Sequence, residues 1–540
     1  MTAVSVVLIT YNDAERLPRA IASLRDQTLR DLEILIVDDA STDGTPTIIA
    51  EAMAADPRIR TIRLATNSGG CSTPRNAGLR AASGDWVMFC DSDDEFERHA
   101  AKNLLLAVER ADADLGCGVA ERIDTRTGVA QRWRADLHEP AVLDSILDRP
   151  ELIADTVSVN KIYRRRWLIE RGITFPEGIL YEDQLFTMRA YAEAHRIAVS
   201  DRTVYRWYVA RQATDRSITQ RRHEVRNAMS RVEVNRLIDA YLAEHGPPAL
   251  ARVKDRKFLS HDCYLYLSSM LEMDDDEAMA VIDVLHPYVA SVDMSEAANI
   301  RPALRIAILH LLLRDLEGIR AAMRFVNWSA TVDMPIVPLG DRDLWGCEHL
   351  AQGGDVAGFP MSWWLDVTIH RLRFAGDARA RWCHRPDTIT LRGRHLRIAG
   401  RTIDAFGRLA DVDEASIVLS RGGEVVAELP ASFTATGDGA WTWTADGVPT
   451  FLTRVSDGDG GAIGLRLRID GVENIGQLRA AHVPRHVGAG RAGARGLRTQ
   501  GGDYGAVRWQ AGHFTRLAKV RAATRRAWQR AWRPLHHLWL

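Results

Sequence analysis

Short apolar runs alternate with stretches of helical spacing over the first 90 residues, and this alternation restricts the possible folds more than any other feature. The apolar runs fall at Val4–Thr10, 32–37, 59–64 and 86–90, separated by helical patterns near 14–27, Thr45–Ala55 and 74–82. Runs of this kind, bounded by short turns, predict a βαβαβαβ order and a parallel sheet with helices on both faces. Such a sheet takes ligands beyond the carboxyl ends of its strands. Here those ends carry Tyr11, Asp38 with Asp39, and Asp91 with Asp93. Polar groups from three strands therefore converge on one edge.

At 540 residues, and with roughly 100 to 200 residues per domain, the chain has room for about three units. From about 220 to 325 the spacing is helical. From Asp366 it turns to alternating residues and Gly turns, as in "SIVLSRGGEVVAEL" and "WTWT", which predicts a small antiparallel sandwich or barrel. The expected organisation is an α/β domain over 1–218, a helical domain over 219–330, a linker over 331–365 and a β-rich module over 366–480. The remainder, 481–540, is a basic Gly/Arg-rich linker followed by an amphipathic helix near 513–533. Trp441 and Trp443 alternate along one strand, a pattern that serves cross-strand packing or stacking on sugar rings.

Net charge is −1, but it is unevenly spread. The last 60 residues hold 12 of the 70 basic and one of the 71 acidic residues, a net +11 against −12 on the first 480. Phe514, Leu517, Val520, Trp528, Ala531 and Trp532 share one side of the tail helix, opposite Arg516, Lys519, Arg526, Arg530 and Arg533. A peripheral anchor on an anionic membrane surface, a polyanion-binding arm and a helix packed on the acidic body all fit, and the Trp residues opposite a basic face favour the first. The acidic body and the lack of a nucleic-acid module argue against RNA or DNA. The six cysteines are far apart, without CxxC or zinc-ligand spacing, so neither a disulfide framework nor structural zinc is expected. No secretory leader or membrane-spanning run is read, and the expected location is the cytoplasm, with possible peripheral association at the inner face of the membrane.

In "FCDSDDEF", Asp91 and Asp93 stand where the fourth strand opens into a loop. A divalent cation bound to a nucleotide diphosphate needs only one or two protein carboxylates, since phosphate and water fill its other positions. The same residues also fit a solvated turn, with Asp94 capping a helix.

The order "VSVVLITYNDAERLPRAIASLRDQTLRDLEILIVDDASTDGT", "NSGGCSTPRNAGLRAASGDWVMFCDSDD" and "ILYEDQLFTMRAY" resembles family 2 glycosyltransferases of the GT-A fold, over about residues 3–218. The resemblance implies inverting transfer of a sugar from a nucleotide diphosphate, most simply a UDP-sugar, to an acceptor hydroxyl, with Mg²⁺ or Mn²⁺. It implies that Tyr11 borders the nucleobase, that Asp39 accepts from the uracil imide or ribose, and that Arg75 and Asn76 lie near the base and the diphosphate. It gives Asp91 to the ribose or metal-bound water, Asp93 to the metal, and Asp183 of "YEDQLF" to the acceptor's proton, with Glu182 as an acceptor or structural contact. Arg211 and Ser217 match a loop that closes over the diphosphate, where an arginine fork suits phosphate oxygens; Lys161 of "VNKIY" falls within the resemblance without a role.

Other readings of these residues stand beside the family roles. Asp38 or Asp39 can cap the following helix, Asn76 can serve packing, and an acidic pair at a helix start also suits the macrodipole. In layout the chain resembles bacterial transferases that decorate wall teichoic acids, which implies a polyol-phosphate, glycan or lipid-linked acceptor and a possible homo-oligomer. The alternatives are a non-catalytic nucleotide- and glycopolymer-binding scaffold, and a transferase acting on polyprenyl phosphate.

Overall fold

The computed structural model describes residues 2–209, 222–327, 332, 334–346, 353–372, 382–392, 395–436, 439–448, 460–479, 495–501 and 507–513. The chain divides into two compact units, Met1–Tyr266 with Met279–Asn299, and Leu267–Ala278 with Ile300–Leu540. The helical stretch 219–330 is shared between them.

In the first unit β1 (Val4–Thr10), β2 (Leu32–Asp38), β3 (Ile59–Arg63) and β4 (Trp86–Asp91) run parallel, in the order β3-β2-β1-β4. Every residue of β1 and β2 is buried, as strands covered on both faces require. The connecting helices are α1 (Leu17–Arg25), α2 (Thr45–Ala55) and α3 (Ser72–Ala81). A Cβ at Gly78 would run into the Val7 side chain. The glycine therefore lets α3 lie directly on β1, and this fixes the position of Arg75 one turn earlier.

The sheet continues through β5 (Glu95–Phe96), β6 (Leu115–Asp124), β7 (Ala130–Trp133), β8 (Ala141–Leu143), β9 (Lys161–Arg164) and β10 (Ile197–Val209). Its full order is β3-β2-β1-β4-β9-β6-β10-β5, with β7 beside β6 and β8 beside β10. Because β9 runs against β4, the residues that lead into β9 rise beside the carboxyl end of β4. Later helices of this unit include α4 (Ala100–Ala111), α5 (Arg165–Glu170), α6 (Glu182–Glu193), α7 (Val225–His245) and α8 (Pro248–Lys257).

In the second unit, helices Pro302–Leu312 and Leu316–Asn327 precede β-structure. The stretch 331–365, expected as a linker, carries a hairpin of β11 (Ile336–Leu339) and β12 (Arg342–Trp345), a pair β13 (Asp355–Val356) and β14 (Phe359–Pro360), and a helical turn, Met361–Trp364. Strands of two to four residues are too short to show a period.

The β-rich region is one antiparallel nine-stranded sheet made of β15 (His384–Arg392), β16 (His395–Ile403), β17 (Val412–Arg421), β18 (Glu424–Ala435), β19 (Ala440–Gly447), β20 (Gly460–Ile469), β21 (Val472–Gln477), β22 (Arg495–Gly501) and β23 (Val507–His513). Its order is β15-β16-β19-β18-β17-β20-β23-β22, with β21 beside β20. A bridge between His384 and Leu478 brings the first strand against the end of β21, so the sheet curls. Ile398, Trp443, Leu465 and Leu467 share its core. The antiparallel sandwich or barrel expected from the alternation is thus present as a curled sheet. Trp443 is buried and donates to Thr402 Oγ1 at 3.1 Å, while Trp441 stacks on Phe433 with centroids 5.0 Å apart; both pack within the sheet. Part of the Gly/Arg-rich segment supplies β22, and the basic helix expected after His513 lies outside the described residues. No helix among the described residues is long and apolar enough to cross a membrane.

Beneath the edge where β9 begins, the first unit buries a cluster of charges. Lys161 Nζ donates to Asp155 Oδ2 at 2.8 Å, to the Val157 carbonyl at 2.6 Å and to Asn160 Oδ1 at 2.9 Å. His138 Nε2 stands 3.1 Å from Asp155 Oδ2, and all three side chains are fully buried. Burial opposes charge on both members of the His138–Asp155 pair, yet their partners prevail: Asp155 is lowered to about 2 and His138 raised to about 10. Removing one partner from such a cluster costs about 3 to 5 kcal/mol, because an unpaired buried charge remains. Asp155→Ala is therefore expected to destabilise the protein by that amount in urea unfolding. A histidine whose pKa is raised by folding stabilises fully below its unfolded value of 6.5 and loses that contribution as pH climbs towards about 10. Unfolding free energies measured across that interval should fall in the wild type and flatten in His138→Gln.

Candidate active site

Three elements bring four charged side chains together beyond the carboxyl end of β4. Arg75 projects from α3 and is only 3% exposed. Its Nη2 donates to Asp91 Oδ1 at 2.8 Å, and its Nη1 donates to Asp183 Oδ1 at 2.6 Å and Glu182 Oε1 at 2.9 Å. Asp91 ends β4, whereas Glu182 and Asp183 open α6, where a helix N-terminus favours negative charge. The residue before them, Tyr181, is left-handed with φ 67°, which turns the chain sharply into the helix. Ser158, from the segment leading into β9, holds both oxygens of Asp183, through Oγ to Oδ1 at 3.1 Å and through its backbone N–H to Oδ2 at 3.3 Å.

These bonds do not offset the desolvation of the acids. Burial raises Glu182, and repulsion from Asp183 adds to it against the pull of Arg75. Burial likewise raises Asp183, opposed by Arg75 and Ser158. The Asp183 side chain nevertheless keeps 21% of its surface, against 10% for Glu182. A carboxylate with a raised pKa and an open face is suited to take a proton.

The second acid of D-x-D stands differently. Asp93 keeps 41% of its side-chain surface, and Arg16 Nη1 reaches its Oδ2 at 3.2 Å. Close-lying protein atoms desolvate the carboxyl and Asp91 repels it, so it is pushed up to about 6 despite Arg16. Arg16 also pairs with the buried Asp13 at 2.6 Å. No three His, Cys, Asp or Glu side chains gather as a self-sufficient metal cage among the described residues. A pair of mutually repelling carboxylates with an open side fits a divalent cation that takes its other ligands from phosphate and water. Asp94 is committed elsewhere, accepting from Tyr205 Oη at 2.9 Å and the Tyr208 backbone at 2.8 Å; it does not cap α4, whose N-cap is His99.

The remaining candidates divide into open and occupied groups. Tyr11, just past β1, is 47% exposed and offers a free ring face. Asp39 is buried and holds the loop after β3: its Oδ2 accepts from Asn67 Nδ2 at 3.0 Å and Ser68 Oγ at 2.8 Å, and its Oδ1 from the Ser68 N–H at 3.0 Å. A carboxylate offers about four acceptor positions, so Oδ1 has one left for a further donor. Asp38 pairs with Arg63 at 2.6 Å and accepts from the Ser41 N–H at 2.9 Å. Asn76 bonds to the segment before α6. It donates to the Phe175 carbonyl at 2.9 Å and Glu177 Oε1 at 3.0 Å, and accepts from the Phe175 N–H at 2.9 Å. Arg211 and Ser217 lie outside the described residues.

Sequence reasoning did not single out Arg16, Ser158 or the basic residues around Tyr181. Arg231 lies over the Tyr181 ring at 3.6 Å and pairs with the buried Asp262 at 3.0 Å, as does Lys257 at 2.9 Å. Burial lowers Arg222, with Arg231 adding to the effect, and the Arg222 Nε is buried without a hydrogen-bond partner. Burial also lowers His261 to about 4, helped by Lys257, Arg231 and Arg134 against Asp262. Next to the acids of α6 there is thus a surplus of cations.

The family model for glycosyl transferase family 2 matches residues 5–172. Poly(ribitol-phosphate) beta-N-acetylglucosaminyltransferase TarS of Staphylococcus aureus is 30% identical over 312 residues, 57% of this chain and 53% of the relative. Poly(ribitol-phosphate) beta-glucosyltransferase of Bacillus spizizenii is 30% identical over 218 residues, 40% of this chain and 33% of the relative. This chain thus spans about half or less of these two relatives. Among solved structures, S. aureus TarS 1-349 in complex with UDP-GlcNAc matches with a TM-score of 0.51 at 25% identity, covering 64% of this chain and 96% of that one. The parallel strands, the acids at their ends and these agreements together identify residues 5–172 as a glycosyl transferase family 2 domain.

Proposed function

We propose that this chain is an inverting glycosyltransferase that moves a sugar, N-acetylglucosamine or glucose, from UDP to a hydroxyl of a polyol-phosphate polymer. The observation that carries the reading is Arg75, which links Asp91 on the donor side to Glu182 and Asp183 at the head of α6. The named activities of the two relatives, and the UDP-GlcNAc in the TarS structure, support the donor and the acceptor class.

In this reading Tyr11 stacks on the uracil and the free acceptor position of Asp39 receives its imide N–H. Asp93, with Asp91, would hold Mg²⁺ or Mn²⁺, which supplies positive charge to the departing diphosphate. Asp183 takes the proton of the acceptor hydroxyl, whose oxygen bonds to the anomeric carbon from the face opposite the leaving group as the bond to UDP breaks, as a single-displacement inversion requires. Glu182, more deeply buried, shares Arg75 and keeps the two acids from ionising independently. The cations around Arg222 suit an acceptor that carries phosphate. The basic tail would draw the enzyme to anionic lipid at the inner face of the membrane.

Three outcomes test the proposal. Asp183→Asn should lower acceptor-dependent UDP release by about 100- to 10,000-fold, the range of a lost general base, while calorimetry finds UDP affinity unchanged; wild-type turnover in the variant would overturn the assignment. Chelation should stop transfer, Mn²⁺ or Mg²⁺ should restore it, and Asp93→Ala should need more metal for half-maximal rate; transfer that persists in EDTA would remove the metal from the account. Arg222→Ala should raise KM for a ribitol-phosphate oligomer about tenfold, the value of one charge-assisted hydrogen bond, and leave kcat and UDP affinity in place. An unchanged acceptor KM would move the acceptor elsewhere.

A further inference from the structure

Ser158 belongs to no motif, yet it is completely buried and both of its available donors meet the same carboxylate. The hydroxyl takes Oδ1 of Asp183 and the backbone N–H takes Oδ2. A carboxylate held at both oxygens by one residue cannot turn about its Cβ–Cγ bond without breaking two hydrogen bonds, so its plane is fixed. On the other side, Arg75 reaches Oδ1 alone.

The segment that carries Ser158 is itself pinned at almost every residue. Asp155 accepts from Lys161 and from Asn160 Nδ2 at 3.0 Å, and stands against His138. Its carbonyl accepts from Tyr191 Oη at 3.3 Å. The Thr156 carbonyl accepts from Thr187 Oγ1 at 3.2 Å, one turn after Asp183 on α6, and the Val157 carbonyl accepts from Lys161. The Ser158 carbonyl accepts from Tyr163 Oη at 3.3 Å, and Asn160 Nδ2 reaches the Gly118 carbonyl at 2.7 Å on β6. A lysine ammonium fully removed from water is expensive to keep. Here it is surrounded by acceptors from residues 155, 157 and 160, so the charge serves the shape of this segment and nothing that reaches solvent.

We infer that Ser158 is a positioning residue for transfer, aligning the Asp183 carboxylate, and that Lys161 and Asp155 form the buried anchor that sets its height beside β4. This rests on the reading of Asp183 as the base. It gives Lys161 of "VNKIY" a task that its sequence context does not reveal. Reactivity is steep in alignment: a misplacement of about 1 Å can cost roughly 100-fold.

A double-mutant cycle on the full chain tests this, with UDP-N-acetylglucosamine and a ribitol-phosphate oligomer as substrates. Ser158→Ala should lower kcat by about 10- to 100-fold and leave UDP affinity and both KM values in place. Ser158→Thr, which keeps the hydroxyl, should recover most of that loss. In an Asp183→Asn background the added Ser158→Ala should cost nothing, because a residue acting through Asp183 has no further effect once the base is gone. A purely structural serine would lower both backgrounds equally, and that result overturns the inference. If Ser158→Ala fails to fold, Ser158→Cys, nearly the same size but a weak donor, takes its place in the cycle. If Asp183→Asn turns over like the wild type, the base assignment fails. If Asp183→Asn is inactive while Ser158→Ala turns over normally, the base assignment stands and the positioning role falls.

Discussion

The Arg75 guanidinium serves three carboxylates with two terminal nitrogens while almost entirely out of water. Three acids at this density could not remain ionised without a cation among them, since like charges in a desolvated site raise one another's pKa. A lysine would present one charged nitrogen, whereas the fork spans two directions at once. The same side chain therefore decides both that α6 can begin with two acids against the sheet edge and that the end of β4 faces them. Its Nε is buried without a partner, a cost that the three charged contacts outweigh.

Around that ion cluster, the backbone fixes where each acid can stand. Gly78 sets α3 against β1, and Arg75 lies one turn away on the same helix. The reversed direction of β9 brings the Ser158 segment up to the level of Asp91, where a parallel strand would have carried it to the far edge. The left-handed Tyr181 turns the chain so that Glu182 and Asp183 occupy the first turn of α6, where the unpaired N–H groups favour negative charge. None of these three devices is large energetically. Each removes an alternative placement for a charged group, and together they leave the acids one arrangement.

The first four strands and the acids at their ends were legible because parallel strands are apolar on both faces, and the ligand edge follows from strand direction alone. The opening of α6 with an acidic pair was legible too. What bonds to those acids was not. Asp183 takes Ser158 from 25 residues away and Arg75 from 108, and no local period records a contact across the sheet. Lys161 shows the limit well: a lysine inside "VNKIY" carries no role that the sequence assigns, yet it is wholly buried because one strand runs against its neighbours. Asn76, read towards the donor, gives both its amide donors to the Phe175 carbonyl and the Glu177 side chain, which its family motif does not disclose.

Two of the buried ion clusters of the first unit differ in a way that bears on how the site works. Around Asp155 the partners win: the acid lies far below its usual value and the imidazole keeps its proton. Around Arg75 they do not, and both acids of α6 stay raised in spite of the guanidinium. A cluster whose one acid already faces two cations gains nothing from admitting a further proton or cation, and so behaves as framework. A cluster left with excess negative charge is relieved by anything that brings a proton or a cation to its open side, and the exposed face of Asp183 is such an opening. The framework thus lies one layer beneath the reactive acids, joined to them through Ser158, and the division between rigid support and poised chemistry follows from which carboxylates found enough positive charge.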